Sequence, residues 1–228
     1  MTAGLRDFRT SGLVPKPVEG LVVSRLLLRC KIKHFYVIHL YLTKKPYFWS
    51  VKPKKMNDCN EILRPITTFI FDFDGVMTDG TVFCDFEGHP LRATNVKDGY
   101  AIQLATKLGY NVALISGAVC PSTIVRMNSL GVTDVFTGIP DKVLKLKEYM
   151  QAKGLKAEEI VFMGDDIPDL NVMKKVGLPA CPADAAPEVK AISKFISEKE
   201  GGKGAVRDLI ERVLKVQGKW MTAEAYSW

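Results

Sequence analysis

Ile66-Thr-Thr-Phe-Ile-Phe-Asp72-Phe-Asp74-Gly75 decides how the rest of the chain is read. Six residues rich in β-branched and aromatic side chains run straight into two carboxylates spaced i, i+2. Such a run predicts a short buried strand. In an open α/β sheet, ligands bind beyond the carboxyl ends of the strands. Two carboxylates placed there lose hydration and repel one another unless a cation or a proton is shared. Asp74-Gly75 alone is an ordinary turn pair, but a turn accounts poorly for Asp72.

Outward from that strand, Asn111–Ile115, Asp134–Phe136 and residues 159–163 predict further short buried strands. Helical patterns near 98–109, 119–130, 140–153 and 168–175 lie between them. Strands alternating with helices predict an α/β fold: a doubly wound, Rossmann-like parallel sheet covered on both faces. Residues 81–85 and 91–94 flank Glu87-Gly88 and predict a β-hairpin inserted after the first strand. The intervals 80–98 and 116–142 leave no room for a cap domain. Near the end, Gly201-Gly-Lys-Gly204 precedes an amphipathic helix from Ala205 to about Val216.

With 47% hydrophobic and 25% charged residues among 228, the composition is that of a globular chain, neither disordered nor membranous. The net charge of +7 is unevenly placed. Residues 1–55 carry twelve Lys and Arg against Asp7 and Glu19, a net of +10, while the other 173 residues are net −3. The basic character belongs to the N-terminal segment, which counts against a nucleic-acid enzyme. That segment also lacks a sustained helical or strand period. The expected division is a basic, poorly structured extension over 1–56 and a folded domain over 57–228. Five scattered cysteines without a CxxC pair suit reduced thiols in the cytoplasm. The apolar stretch 35–42 is far shorter than the ~20 residues of a spanning helix, so no membrane is expected.

The other strand ends carry polar residues as well. Ser116-Gly117 ends the second strand, where a hydroxyl and the backbone of a helix start can grip phosphate oxygens; alone, it is a common loop pair. Lys142 follows Pro140-Asp141 at a helix start. It is either a solvated surface lysine or an ammonium offsetting charge on a nucleophile and a phosphoryl group. Gly164-Asp165-Asp166-Ile-Pro-Asp169 puts three carboxylates within five positions after a buried strand. Hard oxygen ligands of this kind select magnesium. An acidic cluster favourable to a helix dipole would account for Asp166 or Asp169 singly.

Asp72-Phe-Asp74-Gly75 with Asp79, then Ser116-Gly117, then Lys142, then the Gly164–Asp169 cluster resemble, in that order, the four motifs of the haloacid dehalogenase-like phosphohydrolases. The resemblance covers roughly residues 65–217. It implies Asp72 as nucleophile, with its second oxygen on magnesium. Asp74 would be acid and base, its backbone carbonyl on the metal, and Asp165 the third protein ligand. Ser116, Gly117 and Lys142 would hold the phosphoryl group, and Asp166 and Asp169 would support that shell.

Within that superfamily, the stretches 72–80, 94–99, 164–169 and 201–207 and the ending Val216-Gln-Gly-Lys219 resemble the 3-deoxy-D-manno-octulosonate 8-phosphate phosphatases. The resemblance implies a capless, cytoplasmic homotetramer whose hairpins, here 81–94, pack together, and which serves lipopolysaccharide precursor synthesis. Asp98 and Arg126 would line the sugar-acid pocket, and 201–207 would fold over an active site. Ala118 departs from the pattern: many members have arginine there, and a sister group acting on nine-carbon sugar-acid phosphates has glutamate. A nine-carbon acylneuraminate-type 9-phosphate, a non-catalytic assembly module and a nucleic-acid binder driven by the basic segment are the competing expectations.

Overall fold

The computed structural model describes residues 56–227, and the basic extension proposed from the sequence lies outside them but for Met56. A helix, α1 (Met56–Leu63), leads into β1 (Thr68–Phe71), which is fully buried along its length. The hairpin strands β2 (Phe83–Cys84) and β3 (Pro90–Leu91) follow, then α2 (Val96–Lys107), β4 (Asn111–Ile115), α3 (Pro121–Ser129) and β5 (Asp134–Phe136). The second half contains α4 (Lys142–Lys153), β6 (Ile160–Met163), α5 (Leu170–Met173), β7 (Leu178–Cys181), α6 (Pro187–Ile192), β8 (Phe195–Ile196) and α7 (Ala205–Val216).

Six strands form one sheet in the order β5-β4-β1-β6-β7-β8, and every pair in it is parallel. This is the doubly wound α/β sheet the sequence predicts, and the described residues contain no cap domain. β1 lies between β4 and β6, so the chain order reverses beside it. That is the switch point at which such sheets bind ligands.

Alternate residues of β1 serve opposite layers. Phe69 and Phe71 join the core under α2 and α7, whereas Ile70 joins the one under α4, α5 and α6. A fully buried side chain of this size contributes about 1.5–3 kcal/mol. α7 seals the first layer with Leu209, Ile210, Val213 and Leu214. Just past its end, Gln217 Nε2 donates to the carbonyls of Leu63, Arg64 and Ile66, and its Oε1 accepts from the Tyr110 hydroxyl. One amide thus ties the C-terminal helix to the turn that feeds β1.

Three details depart from expectation. β5 is only half-buried because it is an edge strand. The hairpin is real but shorter, pairing Phe83 with Leu91 and Cys84 with Pro90. β7 and β8 extend the sheet where the sequence suggests none. Pro179 sits inside β7, and proline usually argues against an interior strand. Its carbonyl accepts from Lys194 N, so its missing N–H faces the β8 side. Pairing with β8 begins only at Ala180–Phe195, and no ladder bond is lost.

Candidate active site

The carboxyl ends of β1, β4 and β6 open onto a cavity of about 300 Å³ lined by Asp72, Asp74, Ser116, Gly117, Lys142, Asp165, Asp166 and Asp169, among others. Four distant sequence motifs therefore meet in one place.

The loop after β1 is a tight knot. Phe73 O accepts from Val76 N, Met77 N and Thr78 N, and the buried Thr78 hydroxyl accepts from Gly75 N and Gly80 N. Gly75 has φ +76°, and a Cβ there would lie 2.0 Å from Asp165 Oδ2. The loop thus crosses directly over Asp165, and only glycine permits the approach. Thr78 went unnoticed in the sequence, because a threonine in a turn gives no sign that it ties the loop from inside.

Lys142 is the first residue of α4, whose N-cap Asp141 accepts from Val143 N and Leu144 N. That cap fixes the first turn and with it the lysine stem. Lys142 Nζ lies 2.7 Å from Asp169 Oδ1 and 3.0 Å from Asp72 Oδ1, with the side chain 9% exposed. The surface-lysine reading is excluded. Burial lowers the ammonium's pKa, but the carboxylates of Asp72 and Asp169 more than reverse this and hold it above the ordinary value.

Asp169 is buried; its Oδ2 accepts from Asp165 N, and its side chain occupies the space that Gly164 leaves open. Carboxyl oxygens of Asp72, Asp165 and Asp169 lie within 4.8 Å of one another. Burial first, and then the charge of Asp169, push Asp72 up to about 6 against the pull of Lys142. Burial and the neighbouring aspartates push Asp165 up to about 7. One ammonium does not neutralise this cluster, and its all-oxygen donor set suits a hard divalent cation. Asp166 is engaged differently: its Oδ1 accepts from its own neighbour, Ile167 N, at the start of a 3-10 turn.

Ser116 is almost fully buried at the end of β4. Its backbone N–H donates to Phe136 O, its carbonyl accepts from Ile139 N, and its hydroxyl faces Ala118 N at 3.3 Å.

Arg92, just after β3, is the residue that the sequence reading missed. Its Nε is 2.5 Å from Asp74 Oδ1 and its Nη2 is 3.0 Å from Oδ2, a bidentate clamp made by a side chain only 8% exposed. The signal was present as the one arginine in a hairpin with no lysine, but its target lies 18 residues away.

Asp98 and Arg126 do not line the cavity. Asp98 is buried, and its Oδ1 accepts from Arg207 N at 2.7 Å. It caps α7 from a distance, because the N-cap residue Gly204 has no side chain to do so. Burial raises its pKa despite bonds from Arg207 and Gly204. Arg126 lies with its guanidinium against Gly99. Within one chain, both sit at framework positions outside the cavity lining. The glycines 201–202 press on the backbone of residues 75–79.

Comparison with known proteins agrees with this geometry. A family model described as haloacid dehalogenase-like hydrolase matches residues 99–210. The 3-deoxy-D-manno-octulosonate 8-phosphate phosphatase of Escherichia coli K12 is 34% identical over 162 residues, 71% of this chain and 86% of that protein. The solved phosphatase of the same name from Moraxella catarrhalis, in complex with magnesium, phosphate and a KDO molecule, superposes with a TM-score of 0.70 at 30% identity. It aligns with 72% of this chain and 95% of its own. The cobalt-bound enzyme of Haemophilus influenzae gives a TM-score of 0.68 at 32% identity, over 72% of this chain and 98% of that one. With this identity and coverage, the chain belongs to the haloacid dehalogenase-like hydrolases, among the 3-deoxy-D-manno-octulosonate 8-phosphate phosphatases, and is a phosphoric monoester hydrolase.

Proposed function

We propose that this enzyme hydrolyses a sugar-acid phosphate through a phosphoryl-aspartate on Asp72, with 3-deoxy-D-manno-octulosonate 8-phosphate as its substrate in lipopolysaccharide precursor synthesis. The observation that carries the reading is the Asp72 carboxylate in the cavity, 3.0 Å from Lys142 Nζ and grouped with Asp165 and Asp169. The names of the relatives support the sugar. In this reading, residues 57–228 perform the reaction and the extension 1–56 takes no part.

One Asp72 oxygen attacks phosphorus in line. The bond from phosphorus to the sugar oxygen breaks, and a proton carried by Asp74 goes to that oxygen. Water then attacks the same phosphorus and gives a proton to Asp74, and the bond to Asp72 breaks to release phosphate. Ser116, the Gly117 backbone and Lys142 hold the phosphoryl oxygens, while Asp169 steers Lys142 through their 2.7 Å contact. Asp166 shapes the turn behind Asp165. Asp72, Asp165 and the Asp74 backbone carbonyl would hold magnesium, which supplies charge neutralisation for the approach of a dianion to a carboxylate.

Assembly belongs to the same proposal. Phe83 is 61% exposed and Leu91 49% exposed on the hairpin, apolar surface that a homotetramer would cover. A cytoplasmic location fits the free thiols Cys84, Cys120 and Cys181. Among the described residues, no helix is long and apolar enough to cross a membrane.

A nine-carbon phosphate is kept as a second reading because Ala118 lines the cavity. Steady-state rates on both esters separate the two. The eight-carbon ester is expected to have the higher kcat/KM, with chelator abolishing turnover. A preference above about tenfold for the nine-carbon ester would reverse the assignment.

The acidic cluster makes a thermal prediction. Asp72 and Asp165 titrate near 6 and 7 in the folded chain, against an ordinary 3.8. Between those values, the folded state binds more protons than the unfolded one, so this part of the stability falls as pH rises. Melting of the metal-free enzyme is expected to drop from pH 5 to pH 8. Magnesium chloride should restore it more at pH 8, and Asp165→Asn should flatten the drop. In a domain of this size, each kcal/mol is read as about 2–4 °C. A melting temperature at pH 8 indifferent to magnesium would contradict the metal assignment.

A further inference from the structure

The β2–β3 hairpin carries an inverted pattern. Val82, Phe83, Phe86 and Leu91 face solvent, whereas the cation next in line, Arg92, is buried. A free-standing hairpin would be stabilised by the opposite arrangement. Arg92 Nη1 is also buried without a hydrogen-bond partner among the described residues. A buried guanidinium with an unused donor is a stability cost. Sites that break local rules in this way are expected where function requires them.

What Arg92 gains is Asp74. The backbone at Asp74 is fixed by the loop knot, but its carboxylate is 34% exposed, and among the described residues its side-chain hydrogen bonds are the two from Arg92. A planar guanidinium holding both carboxylate oxygens sets the plane as well as the position of the group.

We propose that Arg92 is a positioning residue that holds the Asp74 carboxylate in line with the leaving oxygen, delivered to the site by the hairpin. The proposal rests on the role given to Asp74 above. Arg92 acts through Asp74 and itself exchanges no proton with the substrate. Its tighter contact is with Oδ1, which leaves Oδ2 as the oxygen that passes the proton.

Leaving-group dependence tests this. An alkyl phosphate needs a proton on its departing oxygen, whereas p-nitrophenolate leaves readily without one. Arg92→Gln is expected to lower kcat/KM, which reports the transfer to Asp72 and not the water step common to both esters, about a hundredfold on the sugar phosphate but less than about fivefold on p-nitrophenyl phosphate. Arg92→Lys should recover part of the loss on the sugar phosphate, since an ammonium reaches one oxygen but not both. The ratio of the two rates is independent of how much variant folds, so a destabilised preparation still reports. Asp74→Asn, assayed alongside, should discriminate in the same direction. Equal losses on both esters in Arg92→Gln, with Asp74→Asn still discriminating, would overturn the role of Arg92 alone. Equal losses of kcat/KM in Asp74→Asn would overturn the acid role of Asp74 and this proposal with it.

Discussion

Asp72→Asn is expected to lower phosphate release by at least about 10⁴-fold while the metal-free enzyme melts no lower than the parent. The two halves of this result have separate causes. Activity is lost because an amide cannot form the covalent intermediate, and no neighbour substitutes: Asp169 is held by Lys142 and Asp165 N, and Asp74 by Arg92. Stability is kept because the lost charge is an unfavourable one, which burial and Asp169 push up to about 6. Lys142 retains its shorter contact with Asp169. Rates with saturating magnesium, together with chelated melting curves, check both. A variant that is inactive only because it unfolds would contradict the reading of Asp72 as a strained functional group.

The second large effect comes from a residue outside the cavity lining. Gly201→Ala would place a Cβ 1.9 Å from Gly75 O and 3.0 Å from Thr78 O. Both are backbone atoms, so no side chain can rotate aside. Gly75 cannot retreat, because Asp165 lies on its other side. The loop bearing Asp74 must therefore shift. Overpacking of this kind costs about 1–3 kcal/mol, and a displacement near 1 Å at reacting groups costs about 10² in kcat. Gly218→Ala is the control for backbone strain without a clash: its φ is positive, as that of Gly201 is not, and the space around it is open, so it should melt lower without losing kcat. A Gly201→Ala enzyme with kcat within twofold of the parent would show that the glycine pair does not set the loop.

The strands were legible where apolar runs stop abruptly at polar residues. β4 and β5 fall where the pattern places them, and β1 and β6 are shorter by one or two residues. α7 is read with its boundaries intact because its apolar face repeats cleanly. β7 and β8 were hidden, one by an interior proline and the other by having only two residues. The site was legible for a related reason. Parallel strands bring their carboxyl ends to one edge, so residues at those ends meet even when they are far apart in sequence. Contacts that cross between other segments leave no such trace. Arg92 on Asp74, Asp98 at the start of α7 and Gly201 behind Gly75 depend on how the hairpin, α2 and the chain before α7 fold back on the sheet. Nothing in the local pattern of Asp98 distinguishes a sugar contact from a helix cap.

The central claim is that phosphorus is carried on Asp72. Borohydride reduces an acyl phosphate, but not a free carboxylate, to the alcohol. Quenching the enzyme with borohydride during turnover on 3-deoxy-D-manno-octulosonate 8-phosphate, then sequencing the peptide that contains residues 68–80 by mass spectrometry, reads this directly. Homoserine at position 72, appearing only when substrate and magnesium are both present, is the predicted result. Full turnover with Asp72 unreduced, or with the reduced residue at Asp74, Asp165 or Asp169, would contradict it.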